Sequence, residues 1–164
     1  MSLRVRPFRS LAALAKLVPE IVYVMCGARG EVRNRLTAAL PGARFLGFEP
    51  DEKAHERLSR NPSPGHTYYK VAAGGSEGTR TLYVTREPAC SSLLQPNANF
   101  VGQFTDCARQ FEVVEQRTVE TVSLNNFLPG AGVAGVDFLD STPRGPSSRS
   151  SRVPIIFLRR VWLA

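Results

Sequence analysis

The strongest pattern in the chain is an unbroken apolar run, Ile21–Cys26 (I-V-Y-V-M-C), rich in β-branched residues. A strand with one wet face alternates, so a run that is apolar throughout suits a strand buried on both faces, as in a parallel sheet. Gly27-Ala28-Arg29-Gly30 ends the run sharply. Glu31–Leu40 then sets Val32, Leu36 and Leu40 on one side of a predicted helix, which Pro41-Gly42 stops. Arg44–Glu49 repeats the buried-strand pattern, and Pro50 leads into a helix predicted from Asp51 to about Arg60. Asp51 is placed to cap that helix, and acids at 51, 52 and 56 favour its positive N-terminal end. Strand, glycine turn, helix, strand, helix is the opening of a doubly wound α/β fold.

The pattern weakens downstream. Thr67–Ala72 predicts a third strand, and Gly74-Gly75 to Gly78 a turn. Arg80–Thr85 and Phe111–Leu124 alternate and predict strands with one wet face. Between them Arg86–Asp106 reads as a long polar loop. Asn125–Leu128 predicts a helical turn, Gly130–Gly135 a loop, and Val136–Leu139 a short apolar strand. At the front of the chain, Leu11, Leu14, Ala15 and Val18 share one helical face. Residues 141–152 (STPRGPSSRSSR) contain no apolar side chain, which predicts a disordered linker, and Val153–Ala164 closes with Ile155–Leu158 and Trp162. The expected organisation is therefore an N-terminal helix over 1–20, one α/β domain over 21–140, and a basic Ser/Arg/Pro-rich tail over 141–164.

Composition narrows the class. The chain has 164 residues, enough for one domain with its own core, and its 43% hydrophobic and 21% charged content is ordinary globular usage. The net charge of +7 is concentrated at the ends: bases exceed acids by three over 1–20 and by five over 141–164, while 21–140 is near neutral. A neutral body argues against a nucleic-acid partner despite the basic total. No apolar run approaches the ~18 residues of a membrane span, so no transmembrane segment is expected. No small-residue cleavage site follows an apolar core near the N-terminus, so no secretory signal is expected either. Cys26, Cys90 and Cys107 are odd in number, widely spaced and without a CxxC, as expected of reduced thiols in a cytoplasmic protein. With only His55 and His66 present, no histidine-rich metal site is expected, and both read as surface residues. Cys90 reads as a packing residue, since no histidine is placed to activate it.

The chemistry sits at the first turn. Gly27 and Gly30 let the backbone turn tightly and approach a ligand, and the helix that follows offers free N–H groups. The next strand ends in Glu49, an acid placed to accept hydrogen bonds from a ribose diol. Together they suggest a nucleoside-containing cofactor. The plainer readings are an ordinary tight βα turn and a solvated or helix-capping acid. A dinucleotide dehydrogenase fits less well, because the third glycine of that fingerprint is missing.

The stretches V-M-C-G-A-R-G-E and F-L-G-F-E-P-D resemble the FkbM-type methyltransferases, which are S-adenosylmethionine-dependent. The resemblance continues through Leu82-Tyr83-Val84-Thr85, Pro88-Ala89-Cys90-Ser91-Ser92-Leu93-Leu94, Pro96-Asn97 and Val136-Asp137-Phe138-Leu139, covering about residues 21–140. It implies a Rossmann-like methyltransferase fold, a doubly wound, mostly parallel sheet. It also implies O-methylation of a hydroxyl on a sugar or other small-molecule acceptor. By the same resemblance Gly27, Ala28 and Gly30 form the cofactor loop, Glu49 holds the ribose, and Val71 and Ala72 lie beside the adenine. Ser91 and Ser92 then belong to a loop that covers the site, or to a well-capped surface loop. The resemblance points to no catalytic base. Methyl transfer from a sulfonium needs mainly positioning of the acceptor.

Two departures carry expectations of their own. Met25 stands where the family carries an acid in a D-V-G pattern, which predicts weakened cofactor binding. After V-D-F-L the family continues with a segment like K-x-D-T-Q-G, whereas this chain has Asp140 and the Arg/Ser tail. Codons exist for residues 141–154 that, read two bases later, spell D-T-Q-G-A-E-L-E-V-L-S-G-A. That predicts a frameshift near Asp140 and a fold incomplete at the C-terminus. A sheet cut there would leave an open apolar edge, for which Ile155–Leu158 is a candidate substitute strand. The alternative function is a non-catalytic remnant or interaction module without cofactor binding.

Overall fold

The computed structural model describes residues 21–30, 42–104 and 108–140, and the backbone of 156–162. The helices expected over 1–20 and 31–40, residues 141–155 and Cys107 lie outside the described residues. The protein is α/β. Its larger sheet has five strands in the order β3-β2-β1-β7-β8, and the first four run parallel. These are β1 (Val22–Cys26), β2 (Arg44–Phe48), β3 (His66–Tyr69) and β7 (Gly135–Asp140); β8 (Ile156–Trp162) pairs antiparallel with β7. A smaller sheet orders β4 (Ala72–Gly74), β6 (Val113–Ser123) and β5 (Gly78–Thr85), with β5 and β6 antiparallel and β4 parallel to β6.

The apolar runs at β1 and β2 fold as their pattern predicts. Tyr23 and Met25 face one side of the sheet and pack with Ala28, Phe45 and Leu58. Val22 and Val24 face the other and pack with Leu46, Phe48, Leu128, Val133 and Val136. Helix α1 (Glu52–Arg60) starts where expected: Asp51 accepts a hydrogen bond from the Ala54 backbone N–H at 2.9 Å, and Ala54 and Leu58 are its buried residues. Among the described residues two further helices are short, α2 (Ala98–Val101) and α3 (Leu124–Gly130).

One expectation changes and two others are filled in. The single strand expected over Thr67–Ala72 is divided, because Tyr69 is the last residue paired to β2 and Ala72 pairs instead with Thr121 of β6. The alternating strands β5 and β6 stand apart from the parallel sheet and pair with each other, as period-2 strands with one wet face prefer. The edge expected to lie open beyond β7 is covered: Leu139 pairs with Ile156 and Gly135 with Trp162. Ile155–Leu158, the candidate substitute strand, thus lies largely within β8.

Candidate functional site

In a sheet of this kind ligands bind beyond the carboxyl ends of parallel strands, where the strand order reverses. Here the order reverses at β1, which lies between β2 and β7. The residues leaving the adjacent strand ends are Cys26-Gly27, Glu49 and Asp140.

Gly27 leaves β1 with φ +79°, a left-handed conformation that glycine adopts without strain, and the space where a Cβ would project is open. Its N–H donates to the Phe48 carbonyl at 2.8 Å, tying the turn to the end of β2. Ala28–Gly30 then forms a single 3-10 turn. Ala28 is fully buried, backbone included, and supports the turn from within the core. Its methyl rests over Gly47 of β2, where an added Cβ would lie 2.8 Å from it.

Glu49 follows β2 and is 4% exposed. Its N–H donates to Tyr69 O at 2.9 Å, and its carboxylate accepts from the Asp51 N–H at 3.0 Å. Burial pushes its carboxyl above the ordinary range, partly offset by the Asp51 N–H and by the charge of Arg29. Asp51, also buried, collects three partners: the Ala54 N–H, Arg117 of β6 at 2.6 Å, and Arg29 at 3.5 Å. Arg117 also binds Glu115, which is the main reason its pKa is raised. An ion pair thus ties the smaller sheet to the start of α1 beside the candidate site.

On the other side of β1, Tyr23 donates its hydroxyl to Asp140 at 3.1 Å, and Asp140 stands opposite Met25 in the strand register. Asp140 is buried, and its charge adds to the effect of burial in pushing the half-buried Cys26 thiol up to about 11. That thiol is therefore protonated and unreactive near neutrality. Met25 is a core residue, 2% exposed.

Of the residues singled out from sequence, Gly27, Ala28, Gly30 and Glu49 come together at neighbouring strand ends. Val71 and Ala72 follow β3. Val71 packs against the cluster around Phe48 and Leu128, and Ala72 begins the smaller sheet. Ser91 and Ser92 are engaged locally with β5. Ser91 Oγ accepts from the Thr85 N–H at 3.1 Å, and Ser92 exchanges backbone hydrogen bonds with Tyr83. These bonds tie the loop to β5. His55 is half-buried, its ring nitrogen 3.2 Å from Tyr68 O, so it serves the packing of α1 on β3. His66, half-buried at the start of β3, stacks on Phe45. Cys90 is buried, as its packing role requires.

The sequence reading missed Arg117 and Asp140. Asp140 carried the same signal as Glu49, an acid ending a buried strand. Arg117 carried none, being one polar position among many on an alternating strand.

Among the described residues no helix is long and apolar enough to cross a membrane, and no three His, Cys, Asp or Glu side chains gather to hold a metal ion. The fold thus defines the class, an α/β protein with a mostly parallel sheet and a buried acid beside its first βα turn. No family model, curated protein or solved structure matches the chain.

Proposed function

We propose that the chain is an S-adenosylmethionine-dependent methyltransferase of the FkbM type, on a Rossmann-like fold, methylating a hydroxyl of a sugar or other small metabolite. One observation supports this above the rest: the buried Glu49 carboxylate at the end of β2, next to the open, left-handed Gly27 turn at the end of β1. These two features fit the nucleoside end of the cofactor, with Glu49 accepting from the ribose and the Gly27–Gly30 backbone passing close beneath it. When bound, S-adenosylmethionine supplies an already activated methyl group. The protein has then to hold cofactor and acceptor in line and keep water out.

A second reading is favoured by Met25. It fills the core at the position where the resembled family carries an acid, so the methionine end of the cofactor lacks that partner. On this reading the chain is a remnant that keeps the fold without binding cofactor. Restoring the acid by Met25→Asp is a poor discriminator, because it sets a second buried carboxylate opposite Asp140. Calorimetry on the unaltered chain separates the readings. The proposal expects saturable S-adenosylmethionine binding that Glu49→Ala weakens at least tenfold. Absent binding in a folded sample supports the remnant. Preference for a nicotinamide dinucleotide over S-adenosylmethionine would sink the methyltransferase reading.

A further inference from the structure

The Glu49 carboxylate is held by main-chain donors whose own side chains are tied to one another. It accepts from the Asp51 N–H at 3.0 Å and from the Arg29 N–H. The Arg29 guanidinium stands 3.5 Å from Asp51 Oδ1, the oxygen that also caps α1 through the Ala54 N–H. From α1, Arg57 donates to the Arg29 carbonyl at 2.5 Å.

The other oxygen of Asp51 is taken from a different layer. Arg117 lies on β6, the middle strand of the smaller sheet, and its Nη1 donates to Asp51 Oδ2 at 2.6 Å. The guanidinium is itself aimed. Glu115, two residues back on the same face of β6, accepts from its Nε and Nη2 at 2.5 and 2.6 Å, which leaves Nη1 for Asp51. A lysine carries a point charge without that fork and cannot serve both acids in this geometry.

A pair of ligand hydroxyls is a demanding partner. A carboxylate has about four acceptor positions, so two main-chain bonds leave Glu49 room for a diol. Displacing such a group by about 0.5 Å or 10–20° loses the productive geometry. We infer that Arg117 is a positioning residue for the nucleoside site: through Asp51 it fixes Glu49 in the orientation that accepts a ribose diol, and so sets preference for ribose over deoxyribose. The inference rests on the reading of Glu49 as the ribose acceptor. The Arg117–Asp51 pair is partly exposed on the arginine side and adds little to stability, so effects on binding and on unfolding can be told apart.

Calorimetry on the full chain with S-adenosylhomocysteine and its 2′-deoxy analogue tests it, with urea midpoints confirming that each variant is folded. Wild type should prefer the ribose form by at least about tenfold, as a hydrogen bond to a charged acceptor implies. Arg117→Met should cut that preference by roughly threefold or more, the scale of a partly exposed ion pair, and Arg117→Lys by less. Arg86→Met, which breaks the exposed Arg86–Glu112 pair beside the same sheet, should leave it unchanged. In the ligand-free protein the Glu49 carboxyl, followed by carboxyl-carbon NMR, should titrate higher in Arg117→Met, because the Asp51 charge that faces it is then less well neutralised. If wild type binds neither ligand, or both equally, the Glu49 reading falls and the inference with it. If wild type prefers ribose but Arg117→Met weakens both ligands alike, or leaves the Glu49 titration where it was, the Glu49 reading stands and Arg117 is only a tie between layers.

Discussion

Gly47 is the most constrained position near the candidate site, and Gly47→Ala tests how the turn is built. An ideal Cβ at residue 47 would lie 2.6 and 2.9 Å from Tyr68 Cδ1 and Cε1 and 2.8 Å from Ala28 Cβ. All three separations are far inside van der Waals contact, and β2 cannot back away because it is paired to β1 on one side and β3 on the other. Overpacking of this kind costs about 1–3 kcal/mol. For a chain of this size that lowers the thermal midpoint by about 2–12 °C. The strain has two outlets, the Tyr68 ring and the Ala28 turn. Displacing Ala28 shifts the backbone that leaves Gly27, so affinity for a ligand at the strand ends should fall along with stability. The assay is urea unfolding of the wild type, Gly47→Ala, Tyr68→Ala and the double variant. The Tyr68→Ala background removes the two contacts made by the ring, so Gly47→Ala should cost less there, by about 0.5–2 kcal/mol of coupling. If Gly47→Ala unfolds at the wild-type midpoint, or costs the same in both backgrounds, the close stacking of Tyr68, Gly47 and Ala28 is not what holds the turn.

Two further predictions concern the acids. Glu49 has a carboxyl raised above its unfolded value, so the native state holds the proton more tightly. Stability from this group is present at low pH and falls as pH rises from the ordinary carboxylate range through the raised folded value. Glu49→Gln should flatten that part of the stability–pH profile and leave the protein as stable or more stable near neutrality, as followed by urea midpoints across pH. Asp51 both caps α1 and binds Arg117. Asp51→Asn keeps a capping oxygen and should cost about 1 kcal/mol or less, since Arg117 is partly exposed and its ion pair correspondingly weak. Asp51→Ala loses the cap as well and should cost about 1–2 kcal/mol more, measured by the same unfolding assay.

The legible part of the fold was the part dictated locally. Val22–Cys26 and Arg44–Phe48 are apolar at nearly every position, and only a strand covered on both faces accommodates that. Asp51 ahead of an amphipathic stretch fixed the start of α1. Partner choice was not legible. Nothing in Lys70-Val71 announces that Ala72 deserts β2's neighbour for Thr121, because a three-residue strand takes its pairing from whatever edge lies near. The same limit applied to the site. Gly27 and Glu49 could be read because turn and strand end are local features. The Arg117–Asp51 link joins positions 66 residues apart and depends on how β6 lies across α1.

Glu49 also bears on why the site should be taken as one. In the fold its carboxylate accepts from the Asp51 N–H and is also held by the Arg29 backbone N–H, and a glutamine, with one acceptor oxygen, would keep the first of these. A glutamine would do so without the cost of burying a charge, which the raised carboxyl registers. Arg29 softens that cost through its charge and its backbone N–H, while its guanidinium pairs with Asp51. For the fold the two backbone bonds do not offset the cost of burying the charge, since the carboxyl stays raised, and the chain carries it at the end of a parallel strand next to the switch in strand order. A ligand that donates paired hydroxyls would convert that cost into binding energy, because charged acceptors make the stronger hydrogen bonds where water is excluded. On this argument Glu49→Gln separates the two demands on the residue: stability should hold or rise, and binding of a ribose-bearing cofactor should fall.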